Sequence, residues 1–423
     1  MSLIFVIHQS SGIGGATQTL VNLVAGLRDR GVGATVACPQ GPAQSALRAV
    51  GAHVFTPDRP IRQFSHLSGY EKSSFSPRFW ADVVFQHRDL QYWQQVILAH
   101  KPDVVHLNAI TLAPLALAAK RAGSKVSMMI QETGVRGMVG FRTAWLRWIV
   151  SHRVDLVAFI SRYDREWYAP STPAVEVVPN WVDERAFGDP VPREEARSQL
   201  GIRLGARVIL FVGGVAELKG TVVLLEAMRK LQELEGVELI MAGPRRMVDP
   251  RRLRFFQRTL RSCRRIAGLD YDSRVAVLLS DGRLRRRIRY VGEVDNMARL
   301  YCAADVVVFP ATKPHQARPA IEAGVAGVPV IASEFPNYGE FLRQGDNAVL
   351  VPPGNSEALA DAIKKILCNE ELGKRLARAN AAHVASVHDR KLNCDRMVDG
   401  ILSLVRSGRR DLPGDDCTLR HEL

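Results

Sequence analysis

The sequence predicts an α/β protein built as two doubly wound halves, each around a parallel sheet. Three observations carry this expectation. Short apolar runs of strand length alternate with amphipathic runs of helix length along the chain, which is the pattern of βαβ units. The alternation breaks at the proline-rich stretch STPAVEVVPNWVDERAFGDPVP and then restarts with a strand running into glycines. Finally, 423 residues exceed one ordinary core and suit two or three domains. The expected boundaries are 1–178 for the first domain, 179–390 for the second with an arginine-rich insert at 244–290, and 391–423 for a C-terminal helix and a disordered tail.

Composition narrows the class. Hydrophobic residues make up 47% and charged residues 24%, as in water-soluble globular chains. No apolar run approaches the ~20 residues of a membrane-spanning helix. The opening MSLIFVIHQSSG has a short apolar stretch and no basic start, so it reads as a first strand and not as a signal peptide. Six cysteines lie far apart with no C-x-x-C pair, which argues against a zinc site and fits reduced thiols in a cytoplasmic protein.

The formal charge of +14 is concentrated. Between Pro244 and Tyr290 stand fifteen Arg, four Asp and neither Lys nor Glu, so eleven of the fourteen net charges belong to one segment. The rest is nearly neutral, and nucleic acid is therefore not the expected partner. Within the segment, RRLRFFQRTLRSCRRI carries Leu253, Phe256, Leu260 and Ile266 at roughly helical spacing. It reads either as an amphipathic helix that docks on an anionic membrane surface or as a solvated helix with a basic face.

In chain order, Leu3 to Ile7 is a buried strand, followed by His8, the loop QSSGIGGATQ and an amphipathic helix. Gly12 and Gly14 are followed by Thr17 where a dinucleotide fingerprint needs a third small residue, and the next strand, ATVACP, ends without a ribose-binding acid. An NAD role is not expected. Val50 to Arg62 holds a short strand and turn, Gln63 to Lys72 is loop, and Tyr92 to His100 is helical. KPDVVHLN is a strand bringing His106 and Asn108 to its carboxyl end. A helix over Leu112 to Gly123 leads to a strand from Lys125 to Ile130 that ends in Gln131, Glu132 and Thr133. In a parallel sheet such strand ends gather on one edge, so His8, Gly14, His106 and Glu132 could converge.

After the junction, ARVILFVGG is a strand into glycines, ELKGTVVLLEAMRKLQ a loop and helix, and GVELIMAGP the next strand. IRYVGEV follows the basic segment. Val306 to Phe309 is a strand, 311–318 a polar loop, and Pro319 opens a helix that leads to a strand from Val328 to Ala332. Lys313, His315, Gln316, Arg318 and Glu322 crowd that loop and first turn. A strand-end loop backed by a helix N-terminus favours an anion, so a phosphorylated ligand is expected there. Asn355 or Ser356 suits an N-cap for the helix that follows VLVPPG. Leu372 to Ser386 and Met397 to Val405 are the last helices expected.

The second half resembles the C-terminal domain of retaining glycosyltransferases of the GT-B fold, family 4. FVGGVAELKG is similar to that family's phosphate-gripping stretch, and Ala304 to Glu322 to the stretch carrying two Glu separated by seven residues. In the first half, SGIGGATQTLVNLVAGL resembles the family's glycine loop and helix, DVVHLN its histidine strand, and VVPNWVDERAF its linker. The resemblance implies two Rossmann-like domains facing a cleft and a nucleotide-diphosphate sugar as donor substrate, with no further cofactor and no metal. The acceptor would be a polysaccharide, a lipid-linked glycan or a small molecule, while docking of the basic segment would hold an otherwise cytoplasmic protein at the inner face of a membrane.

What the resemblance implies for single residues follows the same motifs. Gly213, Gly214 and Lys219 would hold the donor phosphates, Glu322 the ribose hydroxyls, Gly14 and Gly15 would let backbone approach the diphosphate and acceptor, and His106 would touch the donor sugar near the reacting carbon. Catalytic roles then fall to His106, Glu322 and Lys219. The departures are specific. Pro314 stands where the first Glu of the pair belongs, Gly214 where the phosphate-gripping Arg belongs, Trp181 at the linker Gly, and Asn108 where many members have a second histidine. Lys313, His315 and Arg318 are expected to take over phosphate contact as cations. Asp270-Tyr271-Asp272 matches an Asp-x-Asp metal motif of another glycosyltransferase fold but lies away from the other signals. A non-catalytic protein that binds nucleotide sugar or serves assembly is the alternative.

Overall fold

The computed structural model describes residues 3–64, 77–134, 140–168, 174–182, 187, 189–243, 271–294 and 296–410. The basic helix expected over 251–266, Asp270, most of the loop after Gln63, and the tail from 411 onward lie outside the described residues. Among the described residues no helix is long and apolar enough to cross a membrane.

The first unit comprises Met1–Asn180 and the chain from Arg390 onward. Its strands are β1 (Leu3–Ile7), β2 (Gly33–Ala37), β3 (His53–Phe55), β4 (Val104–Leu107), β5 (Lys125–Ile130), β6 (Leu156–Phe159) and β7 (Ala174–Val177). They form a parallel sheet in the order β3-β2-β1-β4-β5-β6-β7. Ile4, Phe5, Val6 and Ile7 are all inaccessible, because helices cover both faces and leave no alternating pattern. The helix Pro77–His100 is longer than the sequence suggested. Its middle, QHRDLQ, breaks the apolar periodicity, and there Asp89 turns inward and pairs with Arg59 at 3.3 Å and Arg62 at 2.8 Å.

The C-terminal helix Arg390–Arg410 is part of this first unit, whereas the sequence set it apart as a third segment. It lies on the helix Gly15–Arg28, where a Cβ at Gly26 would come within 3.0 Å of Val398. Arg30–Asp395 at 2.8 Å and Arg396–Glu176 at 3.3 Å tie its polar side.

The second unit is Trp181–Asp389. Its strands are β8 (Arg207–Val212), β9 (Val237–Ala242), β10 (Ile288–Gly292), β11 (Val306–Phe309), β12 (Val330–Ser333) and β13 (Val349–Val351), again all parallel, in the order β10-β9-β8-β11-β12-β13. Asn355 caps the helix Ser356–Leu367 by accepting from the backbone N–H of Glu357 and Ala358.

The second half of the basic segment is built into this unit. The helix Tyr271–Ser280 buries Val275 and Leu278, and β10 completes the sheet. Arg287 donates to the carbonyls of Leu231, Leu234 and Val237, and Arg289 to that of Gly201. These arginines are structural, because a guanidinium offers five donors in a fixed fork and can satisfy several helix-end, turn and strand carbonyls at once.

Candidate active site

In the second unit the strand order reverses between β8 and β11. Ligands of open parallel sheets bind outside the carboxyl ends of strands at such a reversal. Two loops leave there, 213–220 ahead of the helix Thr221–Lys230 and 310–317 ahead of the helix Arg318–Val325. They are laced together: Thr312 donates through its N–H to the Leu218 carbonyl at 3.0 Å and through its hydroxyl to the Glu217 carbonyl at 2.9 Å. Gly220 permits the contact. Its φ of +74° is left-handed, and a Cβ there would stand 1.8 Å from the Pro310 carbonyl oxygen.

Lys219 leaves the first loop, and its ammonium donates to Nε2 of His315 on the second. The same ammonium lies 5.2 Å from the centroid of Phe309, whose ring stacks on His315 at 5.3 Å. Burial pulls Lys219 down to about 8, against the carboxylate of Glu322, which favours the charge. Burial first, and the Lys219 ammonium second, hold His315 well below the ordinary histidine value. The imidazole is therefore neutral, with Nε2 bare and able to accept.

Glu322 sits one turn into its helix and is 9% exposed. One carboxylate oxygen accepts from Arg318 Nε at 3.0 Å and the other from the Tyr301 hydroxyl at 2.6 Å. Tyr301 is fully buried, and burial together with the Glu322 charge holds its phenol well above 10, so it remains a donor. Two carboxylate oxygens offer about four lone-pair sites, which leaves capacity for further donors such as ribose hydroxyls.

In the first unit the reversal falls between β1 and β4, and a buried polar network bridges it. The Thr17 hydroxyl gives its only hydrogen to the Gly12 carbonyl at 2.8 Å, so the 3.0 Å contact to His8 makes His8 Nε2 the donor. His8 Nδ1 is then bare and accepts from the Asn108 amide at 3.1 Å, while the second amide hydrogen goes to the Ala16 carbonyl at 3.1 Å. Gln131 donates to Asn108 Oδ1 at 3.3 Å. Burial lowers His8 to about 4 and keeps it neutral. Glu132 accepts from the backbone N–H of Ile110 at 3.2 Å and of Gln131 at 3.1 Å, joining the chains that leave β4 and β5.

The sequence-derived residues fare differently. Lys219, His315, Arg318 and Glu322 do gather at one reversal. Lys313 is exposed on the same loop. His315 is corrected from a phosphate-binding cation to a neutral acceptor, because burial and the adjacent ammonium both oppose a proton on it. Arg318 is engaged by Glu322. The N–H groups of Gly213 and Gly214 both donate to the Ala242 carbonyl, at 3.0 and 2.9 Å, which fixes the start of the first loop against β9.

His106 is fully inaccessible, its Nδ1 beside Ser127 Oγ at 2.9 Å, and burial lowers it to about 4. The sugar contact implied for it by resemblance therefore has no open ring edge. Gly14 is exposed, with an ordinary φ of −111°, and a Cβ there would meet nothing within 4 Å. Tyr301, Phe309 and Thr312 were missed by sequence reasoning. The first two read as core, and only the loop pairing reveals the third.

Two family models match the chain. One, described as glycosyl transferase 4-like domain, matches residues 14–181, and the other, glycosyl transferases group 1, matches residues 192–383. A D-inositol 3-phosphate glycosyltransferase of Xylanimonas cellulosilytica is 27% identical over 340 residues, covering 79% of this chain and 74% of that protein. A phosphatidyl-myo-inositol mannosyltransferase of Mycobacterium leprae is 26% identical over 393 residues, 88% of each. Of another such relative, from Corynebacterium urealyticum, the chain spans 52% of the length. Among solved structures, Anabaena HepE in complex with UDP-glucose superposes with a TM-score of 0.72 at 19% identity, covering 95% of this chain and 100% of that one. WaaG, a glycosyltransferase involved in lipopolysaccharide biosynthesis, does so with a TM-score of 0.64 at 15% identity, covering 94% and 98%.

Proposed function

We propose that this chain, which belongs to the GT-B glycosyltransferases of the family 4 type, moves a sugar from a nucleotide-diphosphate donor to an acceptor with retention of configuration and without a metal. The observation that carries this reading is that the loops carrying Lys219 and Glu322 leave the same β8/β11 reversal, laced together by Thr312 and by the Lys219–His315 contact, which puts a cation and a carboxylate on the edge where parallel sheets take nucleotides. Lys219, aided by the exposed Lys313, stabilises charge that develops on the leaving diphosphate. Glu322 keeps lone pairs for ribose hydroxyls while Arg318 and Tyr301 hold it still.

In the first unit, Gly14 and Gly15 let a ligand approach the backbone. The open space beyond Gly14 supports this, since among the described residues nothing stands within 4 Å of where its Cβ would be. His106, fully inaccessible and beside Ser127 Oγ, shapes the end of β4 in this reading. The acceptor is a glycan, a lipid-linked glycan or a small polyol. HepE binds UDP-glucose and the curated relatives act on inositol compounds, so a UDP-sugar and a phosphorylated polyol form the first pair to test.

A second reading has its own observation. Pro314 and Gly214 stand where the family pattern has a Glu and an Arg, which favours a protein that binds nucleotide sugar without transfer. Calorimetry with UDP, GDP and the corresponding monophosphates tests the shared premise: a nucleoside diphosphate should bind more tightly than its monophosphate. Binding of none of them sinks both readings. Binding of UDP with no UDP release from UDP-glucose, with or without acceptors, selects the second.

A further inference from the structure

Lys219 is carried by a flexible four-carbon stem on a loop, and by itself such a side chain samples many rotamers. Here two aromatic groups confine it. Phe309 presents its face at 5.2 Å, and His315, stacked on that same ring, presents a bare Nε2 to the ammonium. The other charged groups nearby have different duties. Arg318 is engaged by Glu322, Glu322 is held by Tyr301, and Lys313 is exposed. The position that resemblance gives to a second phosphate-gripping cation is Gly214, so Lys219 is the cation that leaves this loop.

We propose that His315 is a positioning residue: its neutral imidazole accepts from the Lys219 ammonium across the two strand-end loops and thereby aims that cation at the donor diphosphate. This rests on the nucleotide-binding reading above. A neutral acceptor suits the task. It orients the ammonium by a charge-assisted hydrogen bond yet leaves the full positive charge for phosphate, whereas a carboxylate in its place would neutralise it. A cation in its place would repel it. The Nε2-bare, Nδ1-protonated tautomer follows from the geometry, and burial of the ring together with the adjacent ammonium keeps a second proton off.

Two substitutions separate positioning from direct phosphate contact. His315→Gln keeps an uncharged acceptor, while His315→Arg supplies a permanent cation. With UDP and GDP as probes in calorimetry, the Arg variant should bind at least about tenfold more weakly than the parent, the scale of one charge-assisted hydrogen bond. The Gln variant should recover most of that loss. An Arg variant that binds as tightly as the parent, or more tightly, overturns the proposal, because His315 would then be a phosphate contact. A second measurement needs neither variant nor nucleotide. In the ligand-free parent at pH 7, the ¹⁵N spectrum of His315 should show Nε2 unprotonated, and an imidazolium there overturns the proposal as well. A parent that binds neither nucleotide overturns the nucleotide reading itself, so the two failures are told apart.

Discussion

The ammonium of Lys219 and Nε2 of His315 meet across the two loops that leave β8 and β11, on either side of the strand-order reversal. The first unit repeats the arrangement at its own reversal, where the Asn108 amide donates to Nδ1 of His8 at 3.1 Å. In both units a neutral imidazole, fully buried in His8 and partly buried in His315, serves as acceptor for a group on the opposite loop. Each imidazole joins the edge of the sheet where parallel folds bind ligands.

Loss of either member of the proposed donor site should weaken transfer. Lys219→Ala and Glu322→Ala should each lower kcat/KM by about tenfold to a hundredfold, the range for hydrogen bonds to charged groups. Steady-state assays with a UDP-sugar donor check this. Variants as active as the parent would show that the chemistry lies elsewhere.

Two glycines should respond in opposite ways. Gly220→Ala forces a Cβ against the Pro310 carbonyl at a φ of +74°, so it should destabilise the second unit by about 2 kcal/mol or more. Gly14→Ala meets no clash and should cost less than about 1 kcal/mol, while still reducing transfer. Urea titrations read the first quantity and kinetics the second. An active Gly14→Ala enzyme would remove that loop from the ligand site.

Tyr301→Phe keeps the volume and deletes the donor to Glu322, leaving a buried carboxylate oxygen without that partner. The expected loss is about 1 to 3 kcal/mol of stability. If Glu322 binds ribose, KM for the donor should rise more than kcat falls. An unchanged KM would separate Tyr301 from the nucleotide.

Acid should destabilise the first unit. His8 and His106 titrate near 4 in the folded chain, below the ordinary value of 6.5, because burial disfavours the imidazolium. Between those limits the unfolded chain binds more protons, so stability is complete above about pH 6.5 and is lost as pH falls toward 4. Urea midpoints measured across that window should slope less steeply in His8→Gln and in His106→Asn than in the parent. Identical slopes would contradict the assignment.

For the segment 251–266, outside the described residues, we propose from its sequence of arginines interspersed with apolar residues that it carries the chain to anionic membranes. The parent should float with phosphatidylglycerol vesicles and lose this at high salt. A variant with Arg251, Arg252, Arg254 and Arg258 changed to Glu should stay at the bottom of the gradient. Equal flotation of the two retires the idea.

Much of the fold was legible. The run Val306–Phe309 is β11 to the residue, and of the two candidate caps, Asn355 and Ser356, it is Asn355 that caps the helix Ser356–Leu367. Such features depend on period and on side chains a few residues apart. The basic segment was read less well, since charge counts do not say where a guanidinium points. Arg287 turns inward onto three carbonyls instead of facing solvent.

By itself, then, the sequence determined the two doubly wound sheets, the positions of the strand-end loops and the family whose motifs they carry. The tertiary structure alone decided which polar atoms are partners and which are charged. Lys219 and His315 are 96 residues apart, and Asn108 and His8 are 100. Their pairing depends on two loops arriving at one edge, and their protonation on what burial removes from water. Neither is a local property, so His315 reads as a cation in the sequence and is a neutral acceptor in the fold.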